Sequence, residues 1–273
     1  MGAIYLIYFT DCRFIYITQA KRRTRQMKTI AVANHKGGVA KTTTAFNLAS
    51  GLREKNYKVL LIDLDPQGNL TFNCGISNDD LLGSSLYDVF VRHVGVNSCL
   101  FQVFDDLNDL DILCGGIGLR FADEEKKINE DCINKVLLNL SKKYDYCVID
   151  TPPSLNILTR AAITAADELL IPVQASPYSY TGVAYLLGVV RKINPNLKDI
   201  GVLLVQLKPR TLLAKGFIEQ YGGIEGIKLF ENTIRDSTLV PESQLNQTNI
   251  FRYAPKSNVT SDFRAFIDEY VGE

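Results

Sequence analysis

An α/β fold, a mostly parallel twisted sheet with helices on both faces, is what this 273-residue sequence predicts. Three observations predict it. Short apolar runs rich in β-branched residues alternate with longer segments of helical period, the wiring of β-α-β units. A glycine-containing loop, Lys36-Gly37-Gly38-Val39-Ala40-Lys41-Thr42-Thr43, stands between the first apolar run and the first helical segment. Two later apolar runs end in carboxylates, at Asp63 and Asp150, where the carboxyl ends of parallel strands face a ligand crevice. With 46% hydrophobic residues the chain can bury a substantial core, and a sheet of this size commonly forms one domain.

The elements follow in chain order. Residues 1–26 stand apart: 4–18 are rich in aromatics and isoleucine but contain Asp11 and Arg13, and Lys21, Arg22, Arg23 and Arg25 follow. A signal peptide carries its charges first, and a spanning helix is longer and less charged, so neither fits. The expectation is that the native chain starts at Met27, with 1–26 an extension that is disordered or not native, and that 27–273 form the domain. Residues 29–34 read as the first strand, 42–54 as a helix and 58–63 as the second strand. Residues 69–108 are irregular, broken by Gly75, Gly83 and Gly95, and are expected to hold short helices lying over the site. Then come strand 145–150, helix 155–166, strand 168–173, helix 180–193, strand 200–207, helix 212–221 and strand 228–233. Near the end, Val259, Phe263, Phe266, Ile267 and Tyr270 make an apolar stripe on a helix expected to pack on the core. The order of the strands is not readable from the sequence.

The loop carries the chemistry. Against the P-loop pattern G-x-x-x-x-G-K-[ST], His35 stands at the first glycine, Ala40 at the last, and Lys36 is an additional lysine. Gly37 and Gly38 let backbone N–H groups turn inward around phosphate oxygens, and the following helix points its positive end at them. Lys41 then meets the β and γ phosphates, and the Thr42 hydroxyl is placed to ligate magnesium. In Ile62-Asp63-Leu64-Asp65-Pro66-Gln67-Gly68-Asn69, alternation puts Asp63 and Asp65 on one side of the chain. Asp150 ends its strand as an acid does that holds magnesium through water. Alone, the lysine-glycine run reads as a solvated turn and the paired aspartates as a loop cap. Their conjunction, after strands and before a helix, reads as an ATP site. His35 reads as a loop-packing side chain, and His93 lies in an uninformative stretch.

These segments, in this order, resemble the deviant Walker A ATPases of the ParA/MinD group, and the D-x-D-P-Q-G-N form resembles the ParA (Soj-like) branch; the resemblance covers about residues 27–270. It implies a P-loop NTPase fold that hydrolyses ATP with Mg2+. Lys36 is then the signature lysine reaching the partner's phosphates in an ATP-bound homodimer, while Lys41 and Thr42 act in their own subunit. Asp65 positions the attacking water, Asp63 sits in the switch near magnesium, and Asp150 is the Walker B acid. The resemblance further implies non-specific DNA binding, a ParB-like activator, partition of a chromosome or plasmid, and a cytoplasmic, nucleoid-associated location with no membrane partner. Two departures stand out. The group usually has glycine where Ala40 stands, so a need for positive φ there would cost about 1 kcal/mol. Where the group often shows proline-arginine-asparagine for base contacts, this chain has Ile234-Arg235-Asp236.

Composition narrows the alternatives. Thirty basic residues balance thirty acidic ones, so no global field draws the chain to DNA or membrane, and a local patch is required. A MinD-like or cargo-positioning ATPase on a membrane or protein assembly is the alternative function. The last helix argues against the membrane form, since its polar face bears Asp262, Asp268 and Glu269 with Arg264 the only base among them. The six cysteines form no C-x-x-C pair and read as small buried hydrophobes in a reduced compartment. An iron-sulfur reductase would need cluster cysteines that cannot be identified.

Overall fold

The computed structural model describes residues 27–273 except 78, 105–108, 177–178, 209–220, 222–223 and 225. Its centre is an eight-stranded sheet: β1 (Lys28–Val32), β2 (Val59–Asp63), β3 (Leu100–Gln102), β4 (Leu110–Leu113), β5 (Tyr146–Asp150), β6 (Glu168–Gln174), β7 (Asp199–Val205) and β8 (Lys228–Leu229). The order is β3-β4-β2-β5-β1-β6-β7-β8, and the one antiparallel pair is β3 with β4. Alternate residues of one strand serve opposite faces. Ile30 and Val32 enter one apolar cluster, Ala31 and Ala33 the other, which is why the central strands read as unbroken apolar runs.

One face carries α4 (Cys132–Leu138), α5 (Ile157–Ala165) and α6 (Ser179–Ile193). The other carries α1 (Lys41–Glu54) and a C-terminal group: α7 (Leu239–Leu245), α8 (Ile250–Tyr253) and α9 (Asn258–Val271). Two short helices, α2 (Asn69–Asn73) and α3 (Leu86–Val91), lie in the stretch that reads as irregular. Helix α9 buries Val259, Phe263, Phe266 and Ile267, as its apolar stripe predicts. It approaches α1 at Gly51, where an added Cβ would lie 1.9 Å from Ile267 Cδ1. Among the described residues no helix is long and apolar enough to cross a membrane.

Several readings shift. Helix α1 begins one residue early, at Lys41, and α5 begins at Ile157 because the Asn156 side chain accepts the Thr159 N–H at 3.2 Å and caps it there. Strand β8 is two residues rather than six, although Phe230 and Ile234 N–H groups still donate to Val202 and Leu204 carbonyls. Strands β3 and β4 and helix α4 were not foreseen. The expected helix over 212–221 and the extension 1–26 fall outside the described residues, apart from Tyr221.

Candidate functional site: a phosphate loop flanked by strand-end carboxylates

Strand order places the expected residues together. β5 inserts between β1 and β2, and the register sets Asp150 opposite both Val32 and Asp63. The loop after β1 and the acids ending β5 and β2 therefore share one rim. In that loop Gly38 has φ +74° and Ala40 φ +57°, so the backbone does require a left-handed residue where alanine stands. Ala40 is the N-cap of α1 and contributes no side-chain cap, which leaves the first N–H groups of a 14-residue helix open to an anion.

Lys41 is buried and its Nζ donates to the Lys36 carbonyl at 3.2 Å. Burial lowers its pKa, against the pull of Asp150 and Asp65. The Thr42 hydroxyl donates to Asp150 Oδ2 at 2.6 Å. Asp150 Oδ1 is buried with no hydrogen-bond partner. Burial, reinforced by Asp63 and opposed by the Thr42 hydroxyl and Lys41, pushes the Asp150 carboxyl well above the usual range. A hydroxyl and a carboxylate with an unused buried oxygen are hard donors that suit magnesium. Among the described residues no group of three or more His, Cys, Asp or Glu side chains is placed to hold a metal ion.

Asp63 reaches the site but is engaged by its own chain. Its Oδ1 accepts the Asp65 N–H at 3.0 Å, and Oδ2 accepts the Thr71 N–H at 2.9 Å and hydroxyl at 2.7 Å. Burial raises its pKa to about 6 in spite of these bonds. These bonds tie the segment from β2 to α2 to the Asp63 carboxylate. Asp65 is also buried, and its Oδ1 accepts the Gln67 N–H at 2.9 Å.

Lys36, Gly37 and Gly38 are exposed, whereas Val39 is buried. The Lys36 ammonium donates to Ser176 Oγ at 3.3 Å. His35 packs against α6 so closely that a Cβ on Gly182 would lie 2.4 Å from its Cε1, which agrees with a loop-packing role. Other neighbours of the loop come from later in the chain. Gln174 donates from Nε2 to the Gly38 carbonyl at 3.1 Å and also to Gln206 Oε1. Beside the loop lies a cavity of about 350 Å³, lined by Ala40, Thr43, Gln206, Arg235, Asp236 and Gln244 among others. Arg235 is pinned by the Asp262 carboxylate of α9 through Nε at 2.6 Å and an Nη at 2.7 Å. The run Ile234-Arg235-Asp236 thus does border a cavity continuous with the phosphate loop. No local sequence signal joins positions about 200 apart such as Thr43 and Gln244.

A family model described as an AAA domain matches residues 27–200. The chain is 35% identical over 237 residues to the sporulation initiation inhibitor protein Soj of Bacillus subtilis, covering 84% of this chain and 92% of that protein. It is 33% identical over 250 residues to the chromosome-partitioning ATPase Soj of Thermus thermophilus, covering 90% and 96%. A plasmid partition protein of Borrelia burgdorferi bound to AMPPNP superposes with a TM-score of 0.78 at 26% identity, over 90% of this chain and 99% of that one. Cobyrinic acid a,c-diamide synthase of Mycobacterium smegmatis, bound to an ATP analogue and magnesium, superposes with a TM-score of 0.74 at 28% identity, over 90% and 94%. With the loop, the strand-end acids and these relatives in agreement, the chain belongs to the ParA/Soj family of P-loop ATPases and is an ATP-hydrolysing enzyme.

Proposed function

We propose that this ATPase partitions DNA, a chromosome or plasmid, by closing an ATP-bound homodimer that binds DNA without sequence preference and reopens on hydrolysis. The observation that carries the proposal is the division between two lysines of one loop. Lys41 is buried and turned inward onto the loop, as a residue serving its own subunit's phosphates should be. Lys36 is exposed, and its ammonium donates to the half-buried Ser176 hydroxyl, an arrangement that supports its being available to a second copy.

The cycle then follows from the residues. Gly37, Gly38, Val39, Ala40 and Thr43, with the first turn of α1, cradle the phosphates through backbone N–H groups and hydroxyls. Thr42 and Asp150 hold the magnesium ion, which when bound spreads phosphate charge during transfer. Asp65 orients a water for in-line attack on the γ-phosphorus; the bond to the bridging oxygen breaks, and ADP and phosphate leave. Asp63, gripping Thr71 and the Asp65 N–H, keeps that carboxylate in place. A ParB-like partner accelerates the step, and the protein works in the cytoplasm on the nucleoid.

DNA binding measured with ATP and with ADP, on unrelated duplexes, tests the reading. Tighter binding with ATP than with ADP, equal across sequences, is expected. Equal binding with both nucleotides would overturn it.

A further inference from the structure

The wall of the cavity beside the phosphate loop is closed by one hydrogen bond between distant parts of the chain. Gln244 on α7 donates from Nε2 to Thr43 Oγ1 at 2.8 Å. Both residues line the cavity that runs from Ala40 to Arg235 and Asp236. A second tie lies one turn further along α1: Asn47 Oδ1 accepts the Ile250 N–H at 3.0 Å, and Asn47 Nδ2 donates to the Thr43 carbonyl at 2.9 Å. The α7–α8 segment is thereby fastened to the first two turns of the helix that receives the phosphates.

We infer that Gln244 is a positioning residue for nucleotide binding, acting through the Thr43 hydroxyl. The inference rests on the reading of this loop as the ATP site. A threonine hydroxyl has one proton to give and two lone pairs to offer. With the Gln244 amide on a lone pair, the rotamer is fixed and the proton stays free for a phosphate oxygen. Without that amide the hydroxyl is free to rotate, and its proton is no longer held toward the ligand. Gln244 also holds α7 against α1, so the nucleotide enters a slot that is already shaped. Thr43 stands in the first turn of α1 and lines the cavity that reaches Arg235 and Asp236, so ADP and ATP are expected to depend on the contact alike. Lys36 and Asp65, in contrast, should matter only when a γ-phosphate is present.

ADP affinity of the full chain, measured by calorimetry, provides the test. Gln244→Met keeps the length and bulk of the side chain but removes the donor, and should raise the Kd for ADP about five-fold, the scale of one neutral hydrogen bond. The same substitution in a Thr43→Val background should add nothing further, whereas in a Thr43→Ser background, which keeps the hydroxyl, it should again cost about five-fold. An unchanged Kd in Gln244→Met, or an equal loss in the Thr43→Val background, would overturn the positioning role. Failure of the parent chain to bind ADP would instead overturn the ATP-site reading itself.

Discussion

At the scale of single residues, the site contains one compromise and one division of labour. Ala40 adopts φ +57°, a region that costs an L-residue roughly 1–2 kcal/mol. Glycine would remove that strain but gain freedom in the unfolded chain worth about 0.4–1 kcal/mol. Ala40→Gly should therefore stabilise the nucleotide-free protein by up to about 1 kcal/mol, a rise of about 2–4 °C in a thermal melt. A lower melting temperature would mean that packing of the Ala40 methyl outweighs the strain. The division of labour between Lys36 and Asp65 separates two further variants. On the proposed signature-lysine role, Lys36→Ala would remove a charge-assisted bond to the partner's phosphates, worth about 1.5–3 kcal/mol, and should bind ATP yet stay monomeric. Asp65→Ala should accumulate as an ATP-bound dimer, because it removes the group acting on water and leaves the phosphate contacts. Light scattering with ATP and magnesium distinguishes them, and a Lys36→Ala protein that dimerises like its parent refutes the signature-lysine role. These residues were legible because each stands in a short local pattern: a loop after a strand, or an acid ending one. Gln206 and Gln244 were not, since polar residues at those positions acquire meaning only from chain segments that folding brings together.

At the scale of elements, the loop is held from outside by β6 and α6. Asn34 donates to the Pro172 carbonyl at 2.9 Å, Gln174 reaches Gly38, and His35 fills the space that a bare Gly182 leaves. Gly182→Ala should force the imidazole aside and distort the loop, weakening nucleotide binding more than it lowers the melting temperature. His35→Ala in the same chain should restore part of that affinity by vacating the space, and ADP titration of the two proteins checks it. No gain from the second substitution would show that Gly182 matters to α6 itself. The same scale shows why some elements escaped the sequence reading. Strand β4 is four residues long and includes Asp111, a charge that breaks the apolar run. In the fold that carboxylate is buried because Lys142 at 2.6 Å and the Tyr144 hydroxyl at 2.7 Å both donate to it. β3 is shorter still and pairs antiparallel, against the pattern of the rest. The central strands, apolar on both faces, gave no such difficulty.

At the scale of the whole molecule, the decisive fact is strand order, which no local pattern encodes. Placing β5 between β1 and β2 brings Asp150 level with Asp63 and beside the loop, and it turns three separate sequence signals into one rim. The same scale governs the proposed DNA binding. Thirty cations balance thirty anions, so at distances beyond a Debye length the chain exerts little net pull on a polyanion. Affinity must then come from lysines and arginines close enough to touch phosphates. One subunit offers one such set, and two subunits locked by ATP offer two along the same duplex. The number of counterions released should therefore about double on dimerisation. Since log Kobs falls with log salt at about −0.9 per phosphate contacted, the ATP-locked Asp65→Ala dimer should show about twice the slope of the monomeric Lys36→Ala protein. Fluorescence anisotropy on a short duplex between low and physiological salt measures both. Equal slopes would mean that a single subunit makes all the contacts, and the coupling of ATP to DNA would then have to come from a change within the subunit rather than from pairing two of them.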